Sequence, residues 1–317
     1  MSDILYLNEQ RLAGLGIGAG EVVAAIEDTL LRAADSSVPD RSLPSQSVLA
    51  APKTGITAAD GRYMMATLAT DDDAGVVAVK ALVANPHPSD RQLPGTNGTV
   101  ILLDSKTGQL RAVLDAGWIT AVRTAGLSAV AAKRLASPHS QSIGLVGAGV
   151  QAESHLRLFA ALFPLREVRV VGRSASGVKR IVKVAKELGL SCESVAAEPC
   201  LLHSEIVVSS VSRDFTIEPF LDAGLLQAGA FATIADLTIP WVKATLTRFG
   251  RIYIDDISQE QTMGQPILPM EMVAGDLTNL MQAETAYDAS ASAAFVFRGV
   301  AAGDLALAAL VDRRVLG

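Results

Sequence analysis

Cysteine is nearly missing from this chain: its 317 residues include two, Cys192 and Cys200. They lack C-x-x-C spacing and have no histidine pattern beside them, which excludes a disulfide framework and leaves buried free thiols as the expectation. The four histidines, His87, His139, His155 and His203, are scattered without metal-ligand spacing, so no metal is expected. Charge is sparse too, at 19% of residues, and no basic block offsets the net −6 and the pI near 5.3. A nucleic-acid partner is thereby set aside. No stretch reaches the roughly 18 unbroken apolar residues of a membrane-crossing helix, and the opening MSDILYLNEQ has neither the cationic nor the apolar part of an export signal. A soluble, cytoplasmic protein with no membrane partner is expected.

Half of the residues are hydrophobic, ample for buried cores, and the length suggests two domains. The stretch from Ser142 to Ser174 organises the rest. Ile143 to Val146 is a short apolar run of the kind a buried parallel strand shows. Gly147-Ala148-Gly149-Val150-Gln151-Ala152 follows at once as G-x-G-x-x-A, then a helix-compatible segment to Leu162 and a second apolar run, Val168 to Val171. Gly147 can take a tight turn, Gly149 has no Cβ to bar a pyrophosphate, and Ala152 lets the helix lie close on the strand. The helix start then favours phosphate charge. This is a dinucleotide-binding unit.

Its second strand ends in Gly172-Arg173-Ser174, with no carboxylate for a ribose 2′-hydroxyl. Arg173 offers a fork of donors and Ser174 a hydroxyl, which favours NADP(H) and leaves NAD(H) possible. An exposed loop arginine would leave that preference open.

Around this unit the chain alternates. A helix is expected over about Ala19 to Asp35, then a meander of strands at Tyr63–Leu68, Gly75–Val83, Thr99–Leu103 and Leu110–Asp115, with a hairpin at Asp104–Gly108. A long helix should run from Trp118 to Ala136. Beyond Ser174 the rhythm continues with helix 175–188, strand 205–211, helix near 218–226, strand 230–235, helix 240–248 and strand 251–255. That is a doubly wound parallel sheet in one dimension. A last helical segment, Ala293 to Val315, could pack back on the N-terminal module.

Lys80 in GVVAVKALV and Arg123 in WITAVRTAGLSAV are cations inside apolar runs. Each either reaches the surface on its long stem or is buried against an anion, and the pattern alone favours the surface. With Arg41, on a proline-flanked loop, they would suit a substrate carboxylate. Asp236 follows an apolar run, at the carboxyl end of a late strand where ligands of such sheets bind. It could move a proton or hold an ammonium, or equally cap a helix before Pro240. Asp255 and Asp256 read as loop or cap residues.

The tract GTVILLDSKTGQLRAVLDAGWITAVRTAGLSAVAAKRLA, followed by IGLVGAGVQAESHL, resembles the ornithine cyclodeaminase and mu-crystallin family. The likeness runs on through ATIADLTIP and IYIDDISQE to FVFRGVAAGDLALAAL. The resemblance implies an α/β fold: a Rossmann domain, 119–292, with a discontinuous α+β substrate and dimerisation domain from 1–118 and 293–317. It implies a homodimer, a substrate carboxylate held by Arg41, Lys80 and Arg123, and Asp236 as the catalytic group, with Lys80 beside it in the chemistry. Thr124, in T-A-x-R-T-A, would join Gly147, Ala148, Gly149, Val150 and Gln151 at the cofactor. Members differ in chemistry: cyclodeaminases turn ornithine into proline and ammonia, others reduce cyclic ketimines such as Δ1-pyrroline-2-carboxylate or Δ1-piperideine-2-carboxylate, others are alanine dehydrogenases, and mu-crystallin binds a ligand. Here Arg173 replaces the cyclodeaminases' acid, and Lys80-Ala-Leu-Val-Ala-Asn-Pro departs from Lys-x-x-Asn-Gly-His-Pro. Phe295-Val296-Phe297 replaces F-K-S. A ketimine reductase drawing on NADPH is the expectation.

Overall fold

The computed structural model describes residues 4–35, 47–85, 95–282 and 287–315. Two units divide the chain, Met1–Arg123 with Gly299–Gly317 and Thr124–Arg298.

Period-two alternation builds the first unit. Its strands are β1 (Tyr6–Leu7), β2 (Val48–Ala50), β3 (Thr54–Thr57), β4 (Tyr63–Asp71), β5 (Val76–Ala84), β6 (Thr96–Asp104) and β7 (Leu110–Asp115). They form one sheet in the order β1-β7-β6-β5-β4-β2, with β3 also on β4. Only the β1–β7 pairing is parallel among the described residues. The register sets Thr67, Lys80 and Val100 side by side on one face and Leu68, Val79 and Ile101 on the other. The first face is buried, and the Ala301–Val315 helix packs on it at β4 and β5 and against the Ala19–Asp35 helix. The latter puts Val22, Val23, Ile26 and Leu30 inward at helical spacing. At its end Arg32 grips the buried Asp71 with both terminal guanidinium nitrogens, Nη2 at 2.7 and Nη1 at 2.9 Å. The expected hairpin closes on Asp104, whose carboxylate accepts from the Lys106 and Thr107 backbone N–H groups.

The second unit is an eight-stranded, wholly parallel sheet among the described residues: β8 (Ser142–Val146), β9 (Glu167–Val171), β10 (Ser191–Ser194), β11 (Ile206–Ser209), β12 (Phe231–Ile234), β13 (Arg251–Ile254), β14 (Val273–Asp276) and β15 (Ala293–Val296). The order is β10-β9-β8-β11-β12-β15-β13-β14, a doubly wound Rossmann arrangement whose direction of winding reverses between β8 and β11. β8, β11, β12 and β15 are buried along their whole length. That is why they read as unbroken apolar runs rather than alternations.

Three expectations are corrected. Ala293–Val296 is not the start of a helix but the strand β15, inserted between β12 and β13; the helix begins only at Ala301. Its Phe295 and Phe297 stack at 5.3 Å inside the sheet's core. The helices expected near 218–226 and over 240–248 are short 3₁₀ segments, one turn at Ala223–Leu225 and two at Lys243–Arg248. Pro219 and Pro240 interrupt both segments, and the Phe220 and Leu221 N–H groups donate to the Pro240 carbonyl at 2.8 Å, holding the chain extended. Asp256 is a cap as expected, accepting from the Gln259 N–H at 2.9 Å.

Candidate active site

In the second unit β8 delivers the chain to Gly147, whose φ is +104°. A Cβ there would stand 2.6 Å from the Ser210 carbonyl oxygen, so the turn admits glycine alone. Gly149 is the opposite case. Its backbone is extended (φ −92°), and nothing lies within 4 Å of where its Cβ would project. The Val150–Leu162 helix starts from Gly149 with no side-chain cap, so its first N–H groups keep their donors for an anion, while Ala152 is buried beneath. Open space over Gly149 and an uncapped, positive helix start fit a dinucleotide pyrophosphate along Gly147, Ala148, Gly149, Val150 and Gln151.

The chain after β9 lies against this turn: a Cβ at Gly172 would come 2.9 Å from that of Ala148, and one at Gly177 would come 2.9 Å from the Ala148 carbonyl oxygen. Ser174 caps the Ala175–Glu187 helix, accepting from the Gly177 N–H at 3.1 Å. Arg173 reaches the Ser212 hydroxyl at 3.5 Å. A second guanidinium, which the sequence did not single out, also stands here: Arg180 donates to the Ala148 carbonyl at 2.6 Å, 3.7 Å from Glu153.

Asp236, just past β12, is 1% exposed and is no helix cap. Its Oδ2 accepts from the Ser209 hydroxyl and from the Val211 N–H (3.1 Å). Its Oδ1 is buried with no hydrogen-bond partner among the described residues. Trp241 Nε1 donates to the Ser209 hydroxyl at 3.1 Å. Burial pushes the Asp236 carboxyl up to about 6, against the Ser209 and Val211 hydrogen bonds, its own backbone N–H and the charge of Lys243. The backbone beyond it is strained: Leu237 and Thr238 are both left-handed, at φ +58° and +60°. Lys243 holds that turn, donating to the Thr238 carbonyl (3.0 Å) and hydroxyl.

In the first unit Lys80 and Arg123 are both buried, against the surface reading. The anion that takes them in is Asp304, on the Ala301–Val315 helix: Lys80 Nζ lies 2.6 Å and Arg123 Nε 3.2 Å from its Oδ1, and Thr67 donates to its Oδ2 at 3.1 Å. Two cations face one carboxylate. Arg123 Nη1 is buried without a hydrogen-bond partner among the described residues, pressed on Gly299, where a Cβ would stand 2.7 Å away. Burial, then the Arg123 charge, lowers Lys80 to about 8 in spite of Asp304. Burial alone would raise Asp304, but Lys80 and Arg123 hold it below the usual carboxylate range, so both partners are ionised at pH 7. Arg41 lies outside the described residues.

One further buried cluster underlies the phosphate turn. Thr233 donates to Ser128 (2.8 Å), Ser128 Oγ lies 3.0 Å from the Thr124 carbonyl and 2.9 Å from His155 Nε2, and His155 Nδ1 lies 2.7 Å from the Gln151 carbonyl. Thr124 thus enters through its backbone. Burial lowers His155 to about 4, so it is neutral at pH 7 and braces the helix start rather than acting as an open base. Among the described residues no His, Cys, Asp and Glu group could hold a metal, and no helix is long and apolar enough to cross a membrane.

Comparison with known proteins places this geometry among relatives. Residues 25–317 match the model of the ornithine cyclodeaminase/mu-crystallin family. The mouse (Mus musculus) ketimine reductase mu-crystallin is 28% identical over 229 residues, 70% of this chain and 71% of that protein. A Thermococcus litoralis Δ1-pyrroline-2-carboxylate reductase, solved with NADH and L-proline, superposes with a TM-score of 0.85 at 21% identity, over 99% of this chain and 98% of that one. An archaeal alanine dehydrogenase dimer with bound NAD gives 0.82 at 21% identity, over 99% and 96%. At such identities these two structures establish the fold.

Proposed function

The chain belongs to the ornithine cyclodeaminase/mu-crystallin family, and from that premise we propose that it reduces a cyclic imine carboxylate with NAD(P)H. The substrate class is that of Δ1-pyrroline-2-carboxylate and Δ1-piperideine-2-carboxylate, and the products are the cyclic amino acids proline and pipecolate. The observation that carries the reading is Asp236: a buried carboxyl, half-protonated near pH 6, with one oxygen left without a partner. Such a group suits the donation of a proton to an imine nitrogen, which makes the adjoining carbon a better hydride acceptor.

Gly147, Ala148, Gly149, Val150 and Gln151 would hold the pyrophosphate, with Thr124 behind them. When bound, the nicotinamide supplies the hydride. Arg173 and Ser174 would take a 2′-phosphate, which favours NADPH, the pool from which a net reduction draws. Lys80, Arg123 and Arg41 would take the substrate carboxylate. The buried excess of one positive charge over Asp304 and the unpartnered Nη1 of Arg123 support that assignment, because a desolvated cation needs an anion beside it. A homodimer belongs to the same proposal.

The test follows NADPH and NADH absorbance with both cyclic imines and with pyruvate plus ammonia, and assays ornithine for ammonia release. Oxidation of NADPH with the cyclic imines is expected. Ammonia from ornithine without net cofactor change would make the protein a cyclodeaminase, and turnover only with pyruvate and ammonia would make it an alanine-type dehydrogenase. Silence on every substrate, with a dinucleotide bound, would leave a binding protein.

A further inference from the structure

The hydrogen bonds around Asp236 have one arrangement in which Trp241, Ser209 and Val211 all keep an acceptor for their protons. The indole Nε1–H of Trp241 can only donate, and it points at the Ser209 oxygen at 3.1 Å. Ser209 has a single proton, and Asp236 Oδ2 is the acceptor within its reach among the described residues, so donation there is the arrangement that leaves no hydroxyl proton unpaired. The Val211 N–H donates to the same oxygen. Oδ2 therefore receives two protons from its neighbours and has no place for a third. When the carboxyl is neutral, its own proton sits on Oδ1, the buried oxygen with no partner among the described residues.

We infer that Ser209 and Trp241 are positioning residues that direct the transferable proton of Asp236 to Oδ1, the oxygen that gives it to the substrate nitrogen. Ser209 ends β11 and Asp236 follows β12, whose Ile234 pairs with Ser209, so sheet register fixes the Ser209–Asp236 contact. The isolated bridge Leu221–Trp241 fixes the indole. The charged group set against Asp236 is Lys243, held on the next turn by Thr238. The inference rests on the proposed reductase reading for the proton's destination, but not for its location.

The location can be read without any substrate. The carbonyl stretch of the protonated Asp236 is followed by infrared difference spectroscopy through a pH titration, with Asp236→Asn as the blank. In the wild type the C=O is Oδ2, doubly hydrogen-bonded, so the band lies low. Ser209→Ala removes one donor: the band should move up, and the titration midpoint should rise by about one unit, because a donor that favours the charged form is gone. Trp241→Phe keeps the ring and frees the Ser209 proton to turn, so both shifts should recur in smaller measure; this variant carries the test if Ser209→Ala does not fold. Ser209→Thr should restore both readings. A role in stability alone would lower the melting temperature and leave band and midpoint in place. An unmoved band and midpoint in folded Ser209→Ala or Trp241→Phe overturns the inference. A wild type that turns over no imine overturns the reductase reading instead, and the spectrum still decides where the proton sits.

Discussion

Burial works against Asp236 as an ion and in favour of it as an acid. Its folded-state value of about 6 exceeds the ordinary 3.8, so the folded protein holds this proton more tightly than the unfolded chain. The group's contribution to stability therefore falls as pH rises from about 4 to 6, and above that the ionised carboxylate costs the fold about 3 kcal/mol. Asp236→Asn should raise the urea midpoint at pH 8 while lowering kcat about 10²–10⁴-fold. An unchanged kcat removes Asp236 from the chemistry. For the wild type, kcat for reduction should decline with rising pH through a limb near 6, as the acid loses its proton. Asp304 makes the reverse case. Removing its charge with Asp304→Asn leaves Lys80 and Arg123 buried without an anion, and should cost about 3–5 kcal/mol in a urea titration. A loss under about 1 kcal/mol would mean that water already screens the pair.

At the scale of elements, the phosphate turn contains two glycines that are needed for different reasons. Gly147→Ala meets the Ser210 carbonyl and a left-handed φ, so it should lower both the melting temperature and dinucleotide affinity. Gly149→Ala meets nothing and has an ordinary φ; it should leave the melting temperature in place and still abolish NADPH binding, read by cofactor fluorescence. Full binding by Gly149→Ala would move the pyrophosphate elsewhere. This turn was legible in the sequence because its chemistry is local: strand, glycines and helix are contiguous, and the Ala19–Asp35 and Ala116–Leu135 helices show in their own periodicity. What stayed hidden depends on residues far apart in the chain. Lys80 and Arg123 look like surface cations until β4, β5 and the Ala301–Val315 helix bring Thr67 and Asp304 to them. Asp304, inside GVAAGDLALAAL, was the available signal: an acid in an apolar helix needs a cation. Ala293–Val296 passed for helix because a strand buried on both faces and a buried helical turn are equally apolar, and only its pairing with β12 and β13 separates them. Trp241 and Ser209 gave no sign, since thirty-odd residues divide them and their partnership is a matter of sheet register.

For the molecule as a whole, the outer face of the first unit's sheet is the surface on which the proposed homodimer would form. Leu49 on β2, Leu68 on β4 and Ile101 on β6 are exposed at 49%, 50% and 37%. Cross-strand pairing sets Leu68, Val79 and Ile101 in one row, and Leu49 pairs with Thr70, two residues along β4 from Leu68. The opposite face of the same strands is already covered by the Ala301–Val315 and Ala19–Asp35 helices. An apolar sheet face left to water is a liability that a second copy of the chain removes, because a two-fold interface presents the same patch to itself. Light scattering should give twice the chain's 33.0 kDa. Leu68→Lys with Ile101→Lys places like charges on the two strands that flank β5 in that row, so the double variant should run as a monomer at micromolar concentration. It alters neither the phosphate turn nor Asp236, so NADPH binding should survive. A double variant that stays dimeric would show that some other surface joins the subunits.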